Sequence, residues 1–290
     1  VKLMSTNLII LAAGKGTRMK SDKAKVLHQI ASAPMLIHAM QSGAALDPDW
    51  AVIVAGHGFD EFRKTVAAHD PDATVVLQEE QKGTAHAVDA ARAALADFDG
   101  DVIVLFGDTP FVRPEALTRM VEARGDNAVV VLGFEAADPG KYGRLVMQGQ
   151  SLEAIVEYAD ATDEQRDISF CNSGVMLANS QSLFSMIAEI ESDNAQEEYY
   201  LTDVVAIARK RGLSVTAVAC AEEETLGINS RLHLADAEGI FQDRARRELM
   251  ELGVTLQNPA SVMLSHDTVI GRDTIIEPNV YFGPGVTVES

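Results

Sequence analysis

The chain has 290 residues, of which 47% are hydrophobic and 23% charged, enough for one large domain or two smaller ones with a sizeable core. Its net charge of −19, from 24 basic and 43 acidic residues, argues against a nucleic-acid or membrane partner, because both need a basic surface. Two widely spaced cysteines, no signal-peptide pattern and no apolar run of about 18 residues predict a soluble protein of the reducing cytoplasm.

The first informative stretch is an apolar run that ends abruptly in a glycine-containing, cationic loop. The run, Leu8 to Ala13, predicts a buried parallel strand, because both of its faces are apolar. The loop contains two glycines and five cationic side chains: Gly14, Gly16, Lys15, Arg18, Lys20, Lys23 and Lys25. Glycines let backbone N–H groups approach a phosphate, and Lys and Arg neutralise it. The pattern therefore predicts a polyphosphate site at the carboxyl end of the first strand.

Neither common phosphate loop fits this spacing. The dinucleotide fingerprint needs a third glycine where the chain has Met19, and no Gly-Lys-Ser/Thr follows Gly14 at the Walker spacing. The plain alternative is an ordinary strand-to-helix loop with solvated lysines. That alternative does not explain why two glycines, an arginine and several lysines occur together.

Strands and helices alternate over the next hundred residues. Residues 26–46 carry apolar residues at helical spacing, interrupted at Pro34, which we expect to begin a second helix. Residues 51–55, 73–77 and 101–106 predict buried strands, and residues 59–69 predict a helix. This alternation up to about residue 124 predicts a doubly wound, mostly parallel sheet.

Two further polar loops follow strands of this sheet. Gly83-Thr84 opens a helix that we expect to run to about residue 95, and on spacing alone Thr84 is a plain N-cap. Asp108 comes directly after the strand at 101–106, at the sheet edge where Gly14 and Gln78 also lie. A carboxylate that lies beside substrate phosphates suits Mg²⁺, whereas a turn aspartate is the common alternative.

Strands predominate in the second half of the chain. We expect them at residues 128–134, 144–147, 152–157 and 170–178, with Cys171 as a small buried residue. Residues 197–203 precede a helix whose C-cap is Gly212. Asn229, judged from its position alone, is the N-cap of a long helix over residues 232–252.

Beyond Pro259 the chain contains a six-residue repeat. Apolar side chains recur at every sixth position: Leu264, Ile270, Ile276, Phe282 and Val288. A second register holds Thr268, Thr274, Val280 and Val286. This pattern predicts the hexapeptide repeat of a left-handed parallel β-helix. Because the chain stops inside a repeat without an atypical capping unit, we expect a truncated or partial form of a longer solenoid.

Together these motifs resemble the sugar-1-phosphate nucleotidylyltransferases. Leu-Ala-Ala-Gly-Lys-Gly-Thr-Arg-Met at residues 11–19, with Lys25 after it, matches their signature. Gln-x-Gly-Thr-x-His-Ala at 81–87, Glu-Tyr-Tyr-x-Thr-Asp at 198–203 and the hexapeptide tail narrow the resemblance to one bacterial family, the bifunctional N-acetylglucosamine-1-phosphate uridylyltransferase/glucosamine-1-phosphate acetyltransferases.

The resemblance covers essentially the whole chain and implies its fold class. Residues 1–231 would form an α/β domain of the nucleotide-diphospho-sugar transferase type, Rossmann-like with a mostly parallel mixed sheet. Residues 232–252 would form a linker helix. Residues 253–290 would begin a left-handed β-helix with three hexapeptides per coil.

The resemblance also implies the roles of particular residues. Arg18 and Lys25 would be catalytic, and Asp108 and Asn229 would bind Mg²⁺. Gln78 and the Gly83 backbone would read the uracil edge, within a nucleotide-binding set of Leu11, Ala12, Ala13, Gly14, Gly16, Lys25, Gln78, Gly83 and Thr84. The sugar-binding set would be Gly107, Gly143, Glu157 and Asn172. The chain departs from the family pattern at Phe106, where a tyrosine is usual, and at Ser230, where asparagine or aspartate is frequent.

The implied reaction converts UTP and N-acetylglucosamine 1-phosphate into UDP-N-acetylglucosamine and pyrophosphate, which feeds peptidoglycan and lipopolysaccharide synthesis. One alternative is a relative that uses another sugar phosphate or nucleotide. Another is a non-catalytic sugar-nucleotide-binding module, which would be expected to lack Arg18, Lys25 or Asp108. Acetyl transfer is expected to be absent, because the family's acetyltransferase site lies on later coils. Members of the family form homotrimers through the coils of the β-helix. Because this chain contains so few coils, it could be a homotrimer or a monomer.

Overall fold

The structure is a computed structural model and describes residues 5–194 and 196–289. Its residues divide into two compact units. The first unit consists of the chain up to Lys15 together with Leu36–Leu226, and the second consists of Gly16–Met35 together with Gly227–Ser290. The predicted domain boundaries after residues 231 and 252 stay predictions. Among the described residues, no helix has the length and apolar character needed to cross a membrane.

The strands are short. In chain order they are β1 (Thr6–Leu11), β2 (Gln29–Ile30), β3 (Ala33–Pro34), β4 (Ala51–Ala55), β5 (Thr74–Leu77), β6 (Asp101–Phe106), β7 (Val129–Glu135), β8 (Arg144–Gln148), β9 (Ser151–Val156), β10 (Phe170–Asn179), β11 (Val215–Cys220), β12 (Thr255–Leu256), β13 (Val269–Ile270), β14 (Ile275–Ile276) and β15 (Thr287–Val288). The helices are α1 (Met35–Ala44), α2 (Phe59–His69), α3 (Thr84–Asp89), α4 (Pro114–Arg124), α5 (Asp163–Arg166), α6 (Ser180–Ile187), α7 (Asp203–Lys210) and α8 (Arg231–Glu251).

The first unit is built on a mixed sheet with the strand order β11-β7-β10-β6-β1-β4-β5, to which β8 and β9 attach at β10. Strands β6, β1, β4 and β5 run parallel, and β10 runs antiparallel to both β6 and β7. The central strand β1 is apolar on both faces because it is covered on both: Leu8, Ile9 and Ile10 are at most 1% exposed. The predicted α/β fold with a mixed sheet is confirmed.

The predicted pair of helices over residues 26–46 is wrong in its first half. Lys25–Leu27 form one turn of 3-10 helix, a hairpin of β2 and β3 follows, and only α1 is a regular helix. The central turn residues, Ala31 and Ser32, have φ angles of 47° and 70°. A turn of this kind usually contains Asn or Gly, so the Ala-Ser pair gave no turn signal. The apolar spacing reflected burial in a hairpin rather than a helix.

The helix expected over residues 84–95 is divided. The α-helix α3 ends at Asp89, and a separate 3-10 turn covers Arg92–Leu95. The residues between them stay helical in φ and ψ at Ala90 and Ala91. The apolar pattern therefore located the segment but not the break within it.

The second unit contains the loop at residues 16–35, α8 and the tail. Ser230, and not Asn229, is the N-cap of α8, since its hydroxyl accepts a hydrogen bond from the His233 amide at 3.2 Å. The tail pairs in parallel, Ile270 with Val288 and Met263 with Tyr281, so each coil uses three hexapeptides. One set of repeat positions fills the interior of the coils: Leu264, Ile270, Ile276 and Phe282. The parallel pairing and the apolar interior confirm the predicted start of a β-helix.

Candidate functional site

The loops that follow β1, β4, β5 and β6 meet at one edge of the sheet, because the four strands are parallel neighbours. Backbone hydrogen bonds extend the pairing past the strand ends. The Ala12 amide donates to the Val54 carbonyl at 2.8 Å, and the Gly107 amide donates to the Leu11 carbonyl at 2.9 Å. The Gln78 amide likewise donates to the last residue of β4 at 2.8 Å. Three of the predicted binding segments therefore converge here.

A cleft of about 720 Å³ opens beside this edge. It is lined by Lys15, Gly56, His57, Leu77, Gln78, Glu79, Glu80 and Gln81. The Gln81 side-chain amide donates to the Ala13 carbonyl and so ties the loop after β5 to the loop after β1. A Cβ atom at Gly56 would lie 2.7 Å from the Ala13 oxygen, so only glycine allows this approach. Gln81 was not predicted as a site residue, although it begins the Gln-x-Gly-Thr motif.

Gln78, the predicted base-reading residue, is 4% exposed and held in place by two neighbours. Its side-chain nitrogen lies 3.0 Å from Nδ1 of His86 and 3.4 Å from the Gly83 carbonyl oxygen. These contacts orient the Gln78 amide before any ligand binds. An oriented amide can present both a donor and an acceptor, which the edge of a pyrimidine base requires.

Thr84 is not the N-cap of α3. Gly83 occupies that position, with φ of 113°, and the Thr84 hydroxyl instead accepts a hydrogen bond from the Leu201 amide at 2.9 Å. The Tyr199 amide donates to the Lys82 carbonyl at 2.8 Å, and the Tyr199 carbonyl accepts from the Ala85 amide at 2.9 Å. The segment at 199–201 is therefore fastened to the loop that carries Gly83 and Thr84.

Three predicted sugar-binding residues lie together in the first unit, although they come from separate elements. The Asn172 amide donates to the Gly143 carbonyl at 2.8 Å. A Cβ atom on Gly143 would lie 3.4 Å from the nearer carboxylate oxygen of Glu157, so the glycine leaves room beside that carboxylate. The side-chain oxygen of Asn172 accepts from the Gly174 amide at 2.9 Å. Their role in sugar binding stays a prediction.

Two residues that shape this region were not predicted. The Thr202 hydroxyl donates to Oε1 of Glu157 at 3.2 Å. Arg144 is 1% exposed, and its guanidinium donates only to backbone carbonyls, among them those of Gly140 at 3.0 Å and Arg166 at 3.1 Å. It therefore fixes the loop before Gly143. Thr202 belongs to the motif at 198–203 and Arg144 directly follows Gly143, but only the folded chain shows what these two residues contact.

Two titratable side chains in this region, Glu157 and Tyr200, have raised pKa values, and burial is the main cause for both. Burial raises the pKa of the Glu157 carboxyl, and the nearby charges of Asp160 and Asp203 raise it further, while the Thr202 hydrogen bond lowers it. Burial also raises the pKa of the Tyr200 phenol, followed by the charges of Asp160 and Glu157. The side chain of Tyr200, the second tyrosine of the motif at 198–203, therefore lies near these carboxylates.

A second group of predicted residues lies in the second unit. Nζ of Lys25 donates to Oδ1 of Asn229 at 2.9 Å. Gly16 has φ of 58°, and a Cβ atom there would lie 2.5 Å from Cβ of Lys25. Arg18 is exposed in the 3-10 turn Thr17–Met19. Three of the predicted site residues, Gly16, Lys25 and Asn229, therefore lie close together, with Arg18 on the same short loop as Gly16 and Lys25.

The residues assigned to a metal ion supply suitable ligand atoms. A carboxylate at Asp108 and an amide oxygen at Asn229 are both hard oxygen ligands, the type that Mg²⁺ takes. Oδ1 of Asn229 accepts a hydrogen bond from Nζ of Lys25, and an amide oxygen has a second lone pair for another partner. Within the described ranges, no group of three or more His, Cys, Asp and Glu side chains is arranged to hold a metal.

A family model and curated relatives match most of the chain. Residues 8–200 match the model of the MobA-like NTP transferase domain. The chain is 66% identical over 269 residues to the bifunctional protein GlmU of Ruegeria pomeroyi, covering 93% of this chain and 60% of that protein. It is 58% identical over 280 residues to the bifunctional protein GlmU of Roseobacter denitrificans, covering 97% of this chain and 62% of that protein. The chain thus spans about 60% of the length of these curated relatives.

Solved structures share the fold at low identity. A UDP-glucose pyrophosphorylase complexed with UDP-glucose superposes with a TM-score of 0.68 at 18% identity, covering 83% of this chain and 100% of that one. The inositol-1-phosphate CTP transferase from T. maritima superposes with a TM-score of 0.66 at 17% identity, covering 82% and 96%. The shared fold therefore covers about four-fifths of this chain.

Proposed function

Since the chain belongs to the MobA-like NTP transferase family, we propose that it transfers the uridylyl group of UTP to N-acetylglucosamine 1-phosphate and releases pyrophosphate. The main support is the convergence of the glycine loop, Gln78 and Gly107 at one sheet edge beside a cleft. The choice of UTP and of the acetamido sugar comes from the motif resemblance. The family generally uses a divalent metal ion, and we propose Mg²⁺ for this chain.

The proposed reaction needs positioning and charge neutralisation rather than a general base. The sugar phosphate is an anion at neutral pH, and one of its oxygens forms the new bond to the α-phosphorus of UTP. The bond from the α-phosphorus to the oxygen that bridges to the β-phosphorus breaks, and pyrophosphate leaves with the electron pair. Arg18 and Lys25 stabilise the negative charge on the α-phosphate and on the leaving pyrophosphate.

Asp108 and Asn229 are proposed as the protein ligands of Mg²⁺, an assignment that rests on the resemblance and on their ligand chemistry. When bound, the ion neutralises phosphate charge and orients the triphosphate. Backbone N–H groups of the 11–16 loop contact the phosphates, Gln78 and Gly83 read the uracil, and Thr84 supports that loop. Gly107, Gly143, Glu157 and Asn172 bind the sugar, whose hydroxyl and acetamide groups need both acceptors and donors.

A substrate panel tests this proposal. Pyrophosphate release is measured from UTP and from dTTP, each with N-acetylglucosamine 1-phosphate and with glucose 1-phosphate, in the presence of Mg²⁺. We expect UTP with the acetamido sugar to give the highest kcat/KM. A preference for glucose 1-phosphate or for dTTP would keep the mechanism but overturn the named substrate. No release in any arm would favour a binding module.

The setting of this reaction is proposed from the same resemblance. Both cysteines, Cys171 and Cys220, are free thiols, which fits the reducing cytoplasm that we propose. Trimer formation through the coils and the absence of acetyl transfer stay predictions. Size-exclusion chromatography with light scattering tests the first, and an assay with acetyl-coenzyme A and glucosamine 1-phosphate tests the second.

Glu157→Gln is expected to weaken sugar binding while raising stability at neutral pH. The KM for N-acetylglucosamine 1-phosphate should rise about tenfold, because a hydrogen bond to a charged acceptor is replaced by one to a neutral acceptor. The pKa of Glu157 in the folded state is raised above its usual 4.5, so folding favours the protonated form. The stability that protonation contributes is therefore present at low pH and is lost as pH rises through the raised pKa.

Thermal melts at several pH values check the stability part of this expectation. The variant should have the higher Tm at pH above the raised pKa, and the difference should shrink as the pH falls towards the usual value of 4.5. Glu191→Gln, a change at an exposed carboxylate, is the matched control and should leave both Tm and KM unchanged. A Tm difference that does not vary with pH would refute the assigned burial of Glu157.

Gly83→Ala is expected to disrupt the nucleotide loop. The added Cβ atom would lie 2.5 Å from the Tyr199 carbonyl oxygen and 2.7 Å from its nitrogen, at a φ of 113°. We expect a loss of about 1–3 kcal/mol in the free energy of unfolding and a KM for UTP raised about tenfold or more. Gly149→Ala is the control, since it has a φ of 62° but open space around its Cβ position. It should lose stability slightly and keep its KM.

A further inference from the structure

The hairpin turn at Ala31 is joined to α8 and to the first coil by hydrogen bonds of the Ala31 backbone. Ala31 is 4% exposed. Its amide donates to Oε2 of Glu238 at 2.7 Å, and its carbonyl accepts from the His266 amide at 2.8 Å. Both polar backbone groups of this turn residue therefore have their partners in the helix and in the tail.

Glu238 is itself held by a buried glutamine. Gln242 is 2% exposed, and its side-chain nitrogen donates to Oε1 of Glu238 at 2.9 Å and to the Leu264 carbonyl at 2.7 Å. Its side-chain oxygen accepts from the Leu264 amide at 2.8 Å. Both carboxylate oxygens of Glu238 are thus engaged, one by the turn and one by the residue that joins α8 to the coil.

The turn keeps a backbone conformation that its residues do not favour. Ala31 and Ser32 both have positive φ, where glycine or asparagine is usual. The Ser32 hydroxyl lies 3.1 Å from that of Ser265 and 3.3 Å from that of Tyr281. Unfavourable conformations of this kind persist where the surroundings fix them, and they concentrate at functional segments.

The same segment carries the proposed catalytic cations. Lys25 lies four residues before β2 and donates to Asn229, the residue that precedes the N-cap of α8. The segment is therefore tied to α8 through Ala31 and Glu238, and to the residue just before the N-cap of α8 through Lys25 and Asn229. We propose that Glu238 is a positioning residue, which acts through Ala31 to hold the loop of Arg18 and Lys25 in its working geometry. This inference rests on the proposed function, because it assigns Arg18 and Lys25 to the reaction.

Three variants of the whole chain test the role of Glu238. Glu238→Ala removes the acceptor for the Ala31 amide, and we expect kcat to fall by about tenfold or more, because small misplacements of catalytic groups cost large factors in rate. The KM for the sugar phosphate should change by less than about twofold, which is small beside the expected fall in kcat. Glu238→Gln keeps an oxygen acceptor for the Ala31 amide but loses the hydrogen bond from Gln242, because an amide nitrogen cannot accept one. Its kcat should stay within about threefold of wild type, since the bond to Ala31 is retained. Glu248→Ala, on an exposed part of the same helix, is the control and should match wild type.

Hydrogen exchange of residues 25–33 without substrates gives a readout independent of activity. Glu238→Ala should speed exchange at the Ala31 amide, and Glu238→Gln should restore it. Faster exchange with unchanged kcat, or lower kcat with unchanged exchange, would overturn the positioning role. If Glu238→Ala does not fold, Glu238→Asp, whose side chain is shorter by one methylene, replaces it. Failure of the proposed function would appear differently, as a wild-type chain without pyrophosphate release.

Discussion

Arg18→Ala is expected to lower kcat by about 100- to 1,000-fold, the range found when a donor to a developing negative charge is removed. The KM for N-acetylglucosamine 1-phosphate should change little, because the proposed sugar-binding residues Gly143, Glu157 and Asn172 are unchanged in this variant. Steady-state kinetics with both substrates varied separate the two constants.

Lys23→Ala is the matched control for Arg18→Ala. Lys23 is an exposed cation of the same loop with no assigned role, and its loss should alter kcat by less than about threefold, as is usual for a solvated surface charge. Arg18→Lys should recover only part of the rate, since an ammonium group lacks the fork of donors of a guanidinium. If Arg18→Ala kept its turnover and lost sugar affinity instead, the proposed role in charge stabilisation would be wrong.

Asp108→Ala is expected to lower activity at least as much as Arg18→Ala does. Unlike Arg18→Ala, it should also change how activity depends on the Mg²⁺ concentration. Loss of one of two protein ligands should reduce kcat/KM for UTP by about 100-fold or more at a fixed Mg²⁺ concentration, because ligand oxygens from the protein set the ion's position. A titration with Mg²⁺ should show that the variant needs a much higher concentration for half-maximal activity. Mn²⁺ binding in the presence of UTP, followed by electron paramagnetic resonance, gives the same comparison without turnover.

The control for this variant is Asp126→Ala, which removes an exposed carboxylate in the segment between α4 and β7. It should leave the Mg²⁺ titration unchanged. An Asp108→Ala chain with a wild-type Mg²⁺ requirement would show that Asp108 does not bind the ion. Chelation with EDTA should abolish activity of the wild-type chain, and added Mg²⁺ should restore it.

Strands that are apolar on both faces, and helices with one apolar and one polar face, were predictable from the sequence. The strand at 51–55, the helix at 59–69 and the strand at 101–106 match β4, α2 and β6 in both bounds. Their side chains are either buried on both faces or divided cleanly between core and solvent, so local pattern and tertiary packing agree. The hexapeptide period likewise identified the coils, because every sixth side chain points into their interior.

What the sequence could not supply was the set of contacts between distant residues. Thr84 and Asn229 both looked like helix caps, but Leu201 and Lys25 engage them instead. Local capping rules cannot anticipate a partner more than a hundred residues away. In the same way, the motifs pointed to Glu157, whereas its hydrogen bond from Thr202 appears only in the folded chain.

The most direct test of uridylyl transfer is to follow the α-phosphate of UTP to its product. The chain is incubated with UTP labelled at the α-phosphate, N-acetylglucosamine 1-phosphate and Mg²⁺. The labelled products are then separated and identified by mass spectrometry. We expect one labelled product, UDP-N-acetylglucosamine, formed in equal amount with pyrophosphate. Label that stays in UTP, or that appears in UMP without the sugar, would contradict it.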